Sequence, residues 1–342
     1  MKHPFDLSAY QYDLPKSLIA SHPLAQRDES RLMVVDRRSG EISEMKFFEL
    51  VDYLETGDQI ILNDTRVIKA RLFGSKLTGA KIEIFLVKCL GDTKWEVMAK
   101  PGKKLKVGDQ VIFGPNFSCV IDETLASGNK VVTFDCEGEF MSLLDEYGKL
   151  PLPHYMEREA EQTDEERYQT IYGTKTGALA APTAGLHFTP ELLDRFETKG
   201  VEKKLVTLHV GLGTFKPVQV DDIRQHQMHE ETYFLDSVTA DRINGGQGRQ
   251  ICVGTTTCRV LESCADEKGR VHPGSGETDI FIYPGYRFKC VKSLLTNFHL
   301  PGSSLIMLVS AFGGYELMME AYRKAVERKF RFYSYGDAML IV

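Results

Sequence analysis

The feature that most constrains the fold of this chain is a series of seven short apolar or alternating segments between residues 57 and 135. Turn dipeptides such as Gly-Asp, Pro-Asn and Gly-Asn separate them, and the segments are DQIILN, ARLFG, KIEIFLVK, WEVMAK, DQVIFG, FSCVID and KVVTFD. Runs of this length and spacing are typical of an all-β module. Elsewhere strands alternate with helices, which favours a layered α/β architecture.

Helix signals flank this module. Thr189 followed by Pro190 predicts a capped start for a helix, and Gly200 predicts its end. Either Ser303 or Ser304 can cap the helix LIMLVSAF, and EFMSLLDEYG also has helical spacing.

The domain organisation follows from these patterns. Neither the first 65 residues nor the last stretch looks self-sufficient. We therefore predict one larger, barrel-like α/β domain formed by residues 1–65 and 151–342. Residues 66–150 are predicted to form a small all-β barrel inserted into it.

The composition is that of a globular protein, with 342 residues, 42% of them hydrophobic and 26% charged. The apolar run at residues 305–312 is too short to cross a bilayer, and the first ten residues hold no apolar export segment, so we expect a cytoplasmic protein without membrane contact. Seven scattered cysteines without a C-x-x-C pair indicate free thiols rather than disulfides or a zinc site.

The net charge of −6 argues against a general polyanion binder but leaves room for a local basic face. Two clusters could form such a face, although each is also typical of a solvated surface. They are Lys100, Lys103, Lys104 and Lys106, and Arg323, Lys324, Arg328, Lys329 and Arg331.

Small and polar residues gather where predicted strands end, which is where α/β proteins place ligands. After QIILN, Asp64 and Arg66 belong either to a cleft or to a charged turn between domains. In AAPTAGLHFT, Thr183 and Gly185 precede a capped helix and would allow a ligand to approach its positive end. His187 beside them is either an acid–base group or a structural residue.

Two further segments contain histidine. The strand before His209 leads into Gly211 and Gly213, but the third glycine of a dinucleotide-binding fingerprint is missing. The remaining hypothesis is a tight turn whose backbone lies close to a ligand. His226 and His229 are three residues apart on a predicted helical turn. No third ligand follows at a diagnostic spacing, so we predict acid–base or hydrogen-bonding roles and no metal site.

The downstream segments complete the set of candidates. Thr255, Thr256 and Arg259 follow a strand, and Asn297 opens a similar turn, but neither segment has the Gly-Lys-Ser/Thr ending of a phosphate-binding loop. Asp337 precedes the terminal apolar residues MLIV, which suggests a C-terminus built into the core. The residues alone predict an α/β enzyme with a polar, metal-free cleft.

The same segments resemble the signature blocks of the S-adenosylmethionine:tRNA ribosyltransferase-isomerase family of queuosine biosynthesis. The resemblance covers nearly the whole chain in the family's order, with departures at Leu212 and His154, and is weakest in the inserted segment. The blocks are FDLSAYQYDLPKSLIASHPLAQRDESRLMVVD, GDQIILNDTRVIKARLFG, GKLPLPHY, RYQTIYG, GALAAPTAGLHFTPELL, VTLHVGLGTFKPV, HQMHEETY, VGTTTCRVLES, FIYPGYRFKCVKSLLTNFHLPGSSLIMLVSAFGG and FRFYSYGDAMLI.

The resemblance implies a large α/β domain with an inserted β-barrel, and it implies the reaction. The ribosyl group of S-adenosylmethionine, a co-substrate, would pass to the aminomethyl nitrogen of 7-aminomethyl-7-deazaguanine at the tRNA wobble position. Rearrangement would give epoxyqueuosine tRNA, with release of adenine and methionine. We expect no prosthetic group and a monomer.

The implied chemistry assigns hypothetical roles to the candidates. A sulfonium acidifies the neighbouring ribose C–H, so a histidine could act as the base; the candidates are His187, His209, His229 and His299. Asp337 or Glu230 could assist the departure of adenine. The remaining candidates would contact the substrate. Asp64, Thr255 and Thr256 would bind the ribose, and Phe188, Phe215 and Phe298 would face the sulfonium. Arg66 and Arg259 would bind a carboxylate or a phosphate, and the candidates expected close by are Thr183, Gly185, Gly211, Gly213 and Asn297.

The sequence is also compatible with two other functional hypotheses. A conventional methyltransferase would use the same co-substrate, but it would be expected to open a doubly wound sheet with a glycine-rich loop, of which RLMVVDRRSG is a poor version. A non-catalytic RNA-binding module would grip RNA with the inserted barrel and would ignore S-adenosylmethionine.

Overall fold

The computed structural model describes residues 3–211, 213 and 217–342. Short 3₁₀ turns connect many of its elements. Its helices are α1 (Leu50–Tyr53), α2 (Phe140–Tyr147), α3 (Gln162–Arg167), α4 (Pro190–Lys199), α5 (Ser237–Gly245), α6 (Thr255–Cys264), α7 (Ser304–Gly313) and α8 (Tyr315–Glu327). Its strands are β1 (Arg31–Val35), β2 (Ile42–Lys46), β3 (Gln59–Asn63), β4 (Thr65–Val67), β5 (Arg71–Ser75), β6 (Lys81–Cys89), β7 (Lys94–Lys100), β8 (Gln110–Gly114), β9 (Phe117–Thr124), β10 (Lys130–Cys136), β11 (Gly148–Lys149), β12 (Lys175–Ala178), β13 (Glu202–Leu208), β14 (Glu231–Leu235), β15 (Gln250–Val253), β16 (Gly274–Thr278), β17 (Ser293–Asn297) and β18 (Ala338–Ile341).

Strands β5 to β10 form a small closed antiparallel barrel in the order β5-β6-β7-β10-β9-β8, and Ser75 of β5 pairs with Ile112 of β8 to close it. The barrel fills itself with the apolar residues of alternating strands. In β6, for example, Ile82, Ile84 and Leu86 are buried. Helix α2 packs its leucines into the same core. The predicted all-β barrel is confirmed.

The larger sheet has nine strands in the order β16-β14-β13-β3-β15-β17-β18-β1-β2. Its four central strands, β13, β3, β15 and β17, are parallel to their neighbours within this group. Apolar clusters cover both faces, as expected for parallel strands, which are buried between layers. The predicted α/β class with an inserted barrel is therefore confirmed, and the parallel strands bring four carboxyl ends to one edge.

The predicted helix caps are present. Thr189 accepts a hydrogen bond from the backbone of Leu192 at the start of α4, and Gly200 ends that helix in the left-handed region at φ 82°. Ser303, rather than Ser304, caps α7 by accepting from the backbone of Ile306. These features depend on neighbours within one turn, which is why the sequence predicts them.

The predicted helical turn around His226 and His229 is wrong. A short 3₁₀ turn spans Ile223–Gln225 and ends before His226, and residues 226–230 are not helical. Strand β14 follows at once: its pairing with β16 begins at Glu231, and its pairing with β13 includes Tyr233 and Phe234. No helix in the described part of the chain is long and apolar enough to span a membrane.

Candidate active site

The candidate site lies at the edge of the large sheet where the four central strands end. Beyond β3 comes Asp64, beyond β13 His209, beyond β15 Gly254 and beyond β17 His299. Because parallel strands end on the same side, residues that are far apart in sequence meet there. The 3₁₀ turn Thr183–His187 packs against the end of β17 and forms one wall.

Asn63 locks three of these strand ends together. Its Nδ2 donates to the carbonyl of Leu208 at 2.9 Å and to Oγ1 of Thr256 at 3.2 Å. Its Oδ1 accepts from the backbone nitrogens of Leu208 and Thr65, at 3.0 and 3.2 Å. A fully bonded buried amide holds its surroundings in one arrangement, so the residues on either side of Asn63 are rigidly placed.

Asp64 is a buried carboxylate beside two cationic or potentially cationic side chains. Oγ1 of Thr207 donates to its Oδ1 at 2.7 Å. Burial raises the pKa of Asp64, while the hydrogen bond from Thr207 and the nearby Lys175 and His209 oppose that rise. Sequence reasoning did not select Lys175; only its place in β12, beside β4, brings it near Asp64.

His209 is the histidine whose setting fits acid–base chemistry. Its Nδ1 lies 2.7 Å from Oγ1 of Thr65. The hydroxyl of Thr65 donates to the carbonyl of Lys175 at 3.3 Å, so Nδ1–H of the ring donates to Thr65 and Nε2 keeps its lone pair. No described residue hydrogen-bonds to Nε2. Burial lowers the pKa of His209 and the charge of Asp64 opposes this, so the ring is neutral at neutral pH.

Gly177 makes room for the His209 ring. The pairing of β12 with β4 is irregular between Thr176 and Ala178, and Gly177 takes up the irregularity at φ 153°. A Cβ at this position would lie 2.9–3.0 Å from three atoms of the His209 ring. The bulge and the missing side chain together let the ring lie against the backbone.

His187 and His299 are held as neutral structural residues. Nδ1 of His187 pairs with Oγ of Ser30 at 2.8 Å, and Nε2 accepts from Nδ2 of Asn297 at 3.1 Å. In His299 the two ring nitrogens pair with Tyr322 and Thr296, at 3.1 and 3.3 Å. Burial lowers the pKa of each histidine to about 3. Both nitrogens of each ring have protein partners, so the structure does not support a role as base for either histidine.

A cavity of about 220 Å³ opens beside the ends of β17 and the Thr183–His187 turn. Oγ1 of Thr183 donates to Oδ1 of Asn297 at 3.0 Å on its wall. Its lining joins polar side chains at one end to apolar ones at the other: Thr183, Asn297, His299, Tyr333 and Ser334, with Pro217, Leu300, Pro301 and Leu305. The predictions for Thr183 and Asn297 thus point to residues that do line a pocket.

Both aromatic candidates that the structure describes are enclosed by the core. Phe188 and Phe298 are each 0% exposed. Phe188 packs among the rings of Phe47, Tyr172 and Phe196, and Phe298 packs against Tyr322, Phe330 and Phe332. Neither ring has surface for a sulfonium, although Phe298 borders the cavity. The third candidate, Phe215, lies outside the described residues.

Asp337 and Gly185 also serve packing rather than a ligand. The carboxylate of Asp337 accepts from the backbone nitrogens of Arg31 at 2.9 Å and Arg331 at 2.8 Å, which ties the start of β1 to the last turn. Burial raises its pKa. A Cβ on Gly185 would lie 2.1 Å from the hydroxyl oxygen of Tyr172. The predicted catalytic role of Asp337 is therefore not supported. Gly185 lacks a side chain because the hydroxyl of Tyr172 occupies the space where its Cβ would lie.

Arg259 is committed to a buried ion pair with Glu231. Its other guanidinium nitrogens donate to the carbonyls of Ile280 and Thr278. Each of the three guanidinium nitrogens of Arg259 already has a protein partner, so the structure does not support the prediction that Arg259 holds a substrate carboxylate. The partner carboxylate also accepts from the backbone nitrogen of Gly211 at 2.8 Å, so the pair fixes the backbone at Gly211.

The remaining candidates lie around the rim. Arg66 is exposed, and Thr255 and Thr256 begin α6 with little exposure. His229 is exposed and lies against Gly213, where a Cβ would come within 2.3 Å of the imidazole ring. Glu230 pairs with Lys88 of the barrel at 3.6 Å. These residues keep their roles as hypotheses.

A larger depression of about 1320 Å³ lies elsewhere, over the amino-terminal ends of β3 and β13. It is an open groove that includes Gly57, Gln59 and Gly246 and none of the strand-end candidates. Size alone does not make a site, whereas the carboxyl edge gathers the titratable groups. Within the described residues no group of three histidine, cysteine, aspartate or glutamate side chains is placed to hold a metal ion.

The chain is similar to known proteins over nearly its whole length. The family model described as "Queuosine biosynthesis protein" matches residues 7–341. A curated protein of Symbiobacterium thermophilum named S-adenosylmethionine:tRNA ribosyltransferase-isomerase is 52% identical over 342 residues, covering 98% of this chain and 99% of that protein. A protein of the same name from Trichlorobacter lovleyi is 51% identical over 336 residues, covering 97% and 98%.

A solved structure is similar as well. The crystal structure of S-adenosylmethionine tRNA ribosyltransferase from Thermotoga maritima is 36% identical, with a TM-score of 0.55, and the match covers 99% of this chain and 100% of that one. The family match and the half-identical relatives extend over almost the whole chain. The chain therefore belongs to the queuosine biosynthesis protein family, the family of the S-adenosylmethionine:tRNA ribosyltransferase-isomerase enzymes, as its sequence motifs indicated.

Proposed function

We propose that this protein transfers the ribosyl group of S-adenosylmethionine to 7-aminomethyl-7-deazaguanine at the wobble position of tRNA and isomerises it. The products are epoxyqueuosine tRNA, adenine and methionine. The names of the relatives support a reaction between S-adenosylmethionine and tRNA. The observation that carries the proposal is the His209 imidazole, neutral and anchored through one nitrogen, beside the buried Asp64 at the carboxyl edge.

In this proposal His209 is the general base. The sulfonium of S-adenosylmethionine acidifies the ribose C–H beside it, and Nε2 of His209 takes that proton. The bond from Nδ1 to Thr65 selects the tautomer and orients the ring. The lowered pKa of His209 keeps Nε2 unprotonated at neutral pH, so no prior deprotonation step is needed.

Asp64 and the cavity beside Asn297 would hold the rest of the co-substrate. The carboxylate of Asp64 has one oxygen bonded to Thr207, which leaves acceptor capacity for ribose hydroxyls. The cavity volume of about 220 Å³ is below the roughly 300–1,000 Å³ of pockets for whole ligands, so it would take one end of the molecule. The ring of Tyr333 in its wall offers an aromatic face to the sulfonium in place of the buried phenylalanines.

Gly211 lies two residues after His209 in the chain, and its backbone is held in place. Glu231 holds its backbone nitrogen, and Arg259 holds Glu231. Backbone fixed by a buried ion pair close to the proposed base is preorganised, which limits the entropy lost on binding. We further propose that the protein works as a cytoplasmic monomer with S-adenosylmethionine as co-substrate and without a prosthetic group.

The proposal is tested by following two labels. The full-length protein is incubated with tRNA bearing the aminomethyl precursor and with S-adenosylmethionine labelled either in the ribose or in the methyl group, and the nucleosides are then analysed. We expect ribose label in the tRNA, with adenine and methionine in solution. Methyl label in the tRNA together with S-adenosylhomocysteine would identify a methyltransferase, and binding of tRNA without any effect of S-adenosylmethionine would identify a simple RNA-binding protein.

A further inference from the structure

The outer wall of the barrel carries an aromatic side chain that the barrel core does not use. Phe73 in the middle of β5 is 44% exposed, while its neighbour Leu72 is fully buried. Strand alternation therefore points Phe73 outward. A depression of about 460 Å³ lies beside it and is lined also by Lys81, Lys100 and Phe113.

Two cations lie close to this ring, and two more line the depression beside it. The guanidinium carbon of Arg71 lies 5.3 Å from the ring centroid of Phe73, and Nζ of Lys149 lies 5.2 Å from it. Lys81 lies on β6, which pairs with β5, and Lys100 lies on β7, the next strand beyond β6. We call these five residues, Arg71, Phe73, Lys81, Lys100 and Lys149, the Phe73 surface.

The charge of this surface is opposite to that of the whole protein. It has four cations, and the carboxylate that faces it, Glu83, is paired with Arg71 at 2.9 Å. The protein as a whole has a net charge of −6. An acidic protein that binds RNA needs a local basic face. Exposed aromatic rings between cations are the arrangement with which proteins bind unpaired nucleotides, since the bases stack on the ring and the phosphates meet the charges.

We propose that the Phe73 surface binds unpaired nucleotides of the tRNA substrate, with one base stacked on Phe73 and phosphates held by the surrounding cations. This inference rests on the proposed function, which makes tRNA the substrate. It adds a role for the barrel, which carries none of the strand-end residues of the candidate site.

The test compares Phe73→Ala with Phe73→Trp and with the control Phe48→Ala in the full-length protein. Phe48 is similarly exposed, at 37%, and no described cation lies over its ring. Binding of a tRNA transcript, and of its isolated anticodon hairpin, is measured by fluorescence anisotropy. We expect Phe73→Ala to weaken both about fivefold to 150-fold, which is the usual effect of losing one stacked base. Phe73→Trp should retain affinity, and Phe48→Ala should bind like the parent protein.

Two further measurements separate the possible failures. Thermal unfolding shows whether Phe73→Ala is folded, and calorimetric titration with S-adenosylmethionine shows whether the catalytic site is intact. If the parent protein binds tRNA and Phe73→Ala binds it equally well, the inference is overturned and the proposed function stands. Equal weakening for a fully double-stranded RNA would also overturn it, because a duplex offers no free base to stack. If the parent protein binds no tRNA, the proposed function itself fails.

Discussion

His209 and His187 are both largely enclosed by protein, yet their neighbours give them different chemistry. His187 uses both ring nitrogens on Ser30 and Asn297 and stacks on Phe47 at 4.9 Å between ring centroids. His209 uses only Nδ1, on Thr65. A base must have a free lone pair within reach of the proton that it removes. Of these two histidines, only His209 therefore meets the requirement.

Replacement of His209 by Gln should slow adenine release by about 10²- to 10⁴-fold, the usual contribution of a general base. His272→Gln, at an exposed position, is the control. Because burial lowers the pKa of His209, the rate should fall with acid only as the pH drops through a value below the ordinary 6.5. Thr65→Val should shift the pH at which the rate falls, because it removes the hydrogen-bond partner of Nδ1 of His209. A fall in rate with acid that already occurs above pH 6.5, or full activity of His209→Gln, would contradict the proposal that His209 is the base.

The stability of the protein should also depend on pH through His187. Its pKa is about 3 when folded and about 6.5 when unfolded, so between these values the unfolded chain binds a proton that the folded one does not. The free energy of unfolding should thus fall with decreasing pH by up to roughly 1.4 kcal/mol per pH unit for this residue. His187→Gln keeps a donor and an acceptor but cannot titrate. Denaturant unfolding over a pH series should give it a shallower slope than the parent protein, and identical slopes would show that His187 is not buried as described.

Among the elements, the irregular pairing of β12 with β4 has the most direct effect on the site. β4 is the strand by which the chain leaves β3 for the barrel, and it carries Thr65. β12 returns beside it and carries Gly177 under the His209 ring. The two short strands therefore position the ring of His209, the proposed base, from both sides. A bulge next to an active site is a recurrent way to direct a side chain.

Substitution of Gly177 by Ala should displace the His209 ring, because the new Cβ would lie 2.9–3.0 Å from it at a backbone angle of φ 153° that suits glycine. We expect kcat for adenine release to fall at least about tenfold, since small misplacements of a catalytic group are costly. Gly245→Ala is the matched control, as a Cβ there meets no atom within 4 Å. Equal kcat in the two variants would show that the bulge does not position His209.

At the level of the whole molecule, the two basic clusters differ in how far their charges are free. Arg323 and Lys324 on α8 pair with Glu320, and Arg323 also pairs with Glu327. The cluster on the barrel is less neutralised; Lys103 and Lys104 are in a 3₁₀ turn that Lys76 anchors at the end of β5. This cluster is therefore continuous with the strand that carries Phe73. Free charge, not charge count, decides attraction to phosphate.

The triple variant Lys103→Gln/Lys104→Gln/Lys106→Gln should bind tRNA more weakly than the parent protein. The slope of log affinity against log salt should decrease by about 0.7–0.9 for each lost phosphate contact. The variant Arg323→Gln/Lys324→Gln should bind nearly as the parent does, because these charges are already paired. Anisotropy titrations at several salt concentrations measure both. A larger loss of tRNA affinity in Arg323→Gln/Lys324→Gln than in the triple variant would indicate that the tRNA binds the α8 cluster instead.

The sequence by itself determined the features that depend on near neighbours. The caps of α4 and α7, the alternating strands of the barrel and the carboxyl-edge location of the polar residues all follow from local patterns. The family was also evident from the motifs, since the resembling blocks cover almost the whole chain. Periodicity and capping act over a few residues, so one sequence is enough to show them.

Only the tertiary structure showed which candidates already have protein partners. Ser30, one partner of His187, is 157 residues away, and Thr65, the partner of His209, is 144 residues away, so no local pattern could separate the proposed base from the histidine whose two nitrogens are both bonded. The same holds for Arg259, whose charge is used up by Glu231, and for Lys175, which the sequence did not reveal. A pKa and a free lone pair depend on burial and on partners in space. Those are set by the fold that brings the four strand ends together.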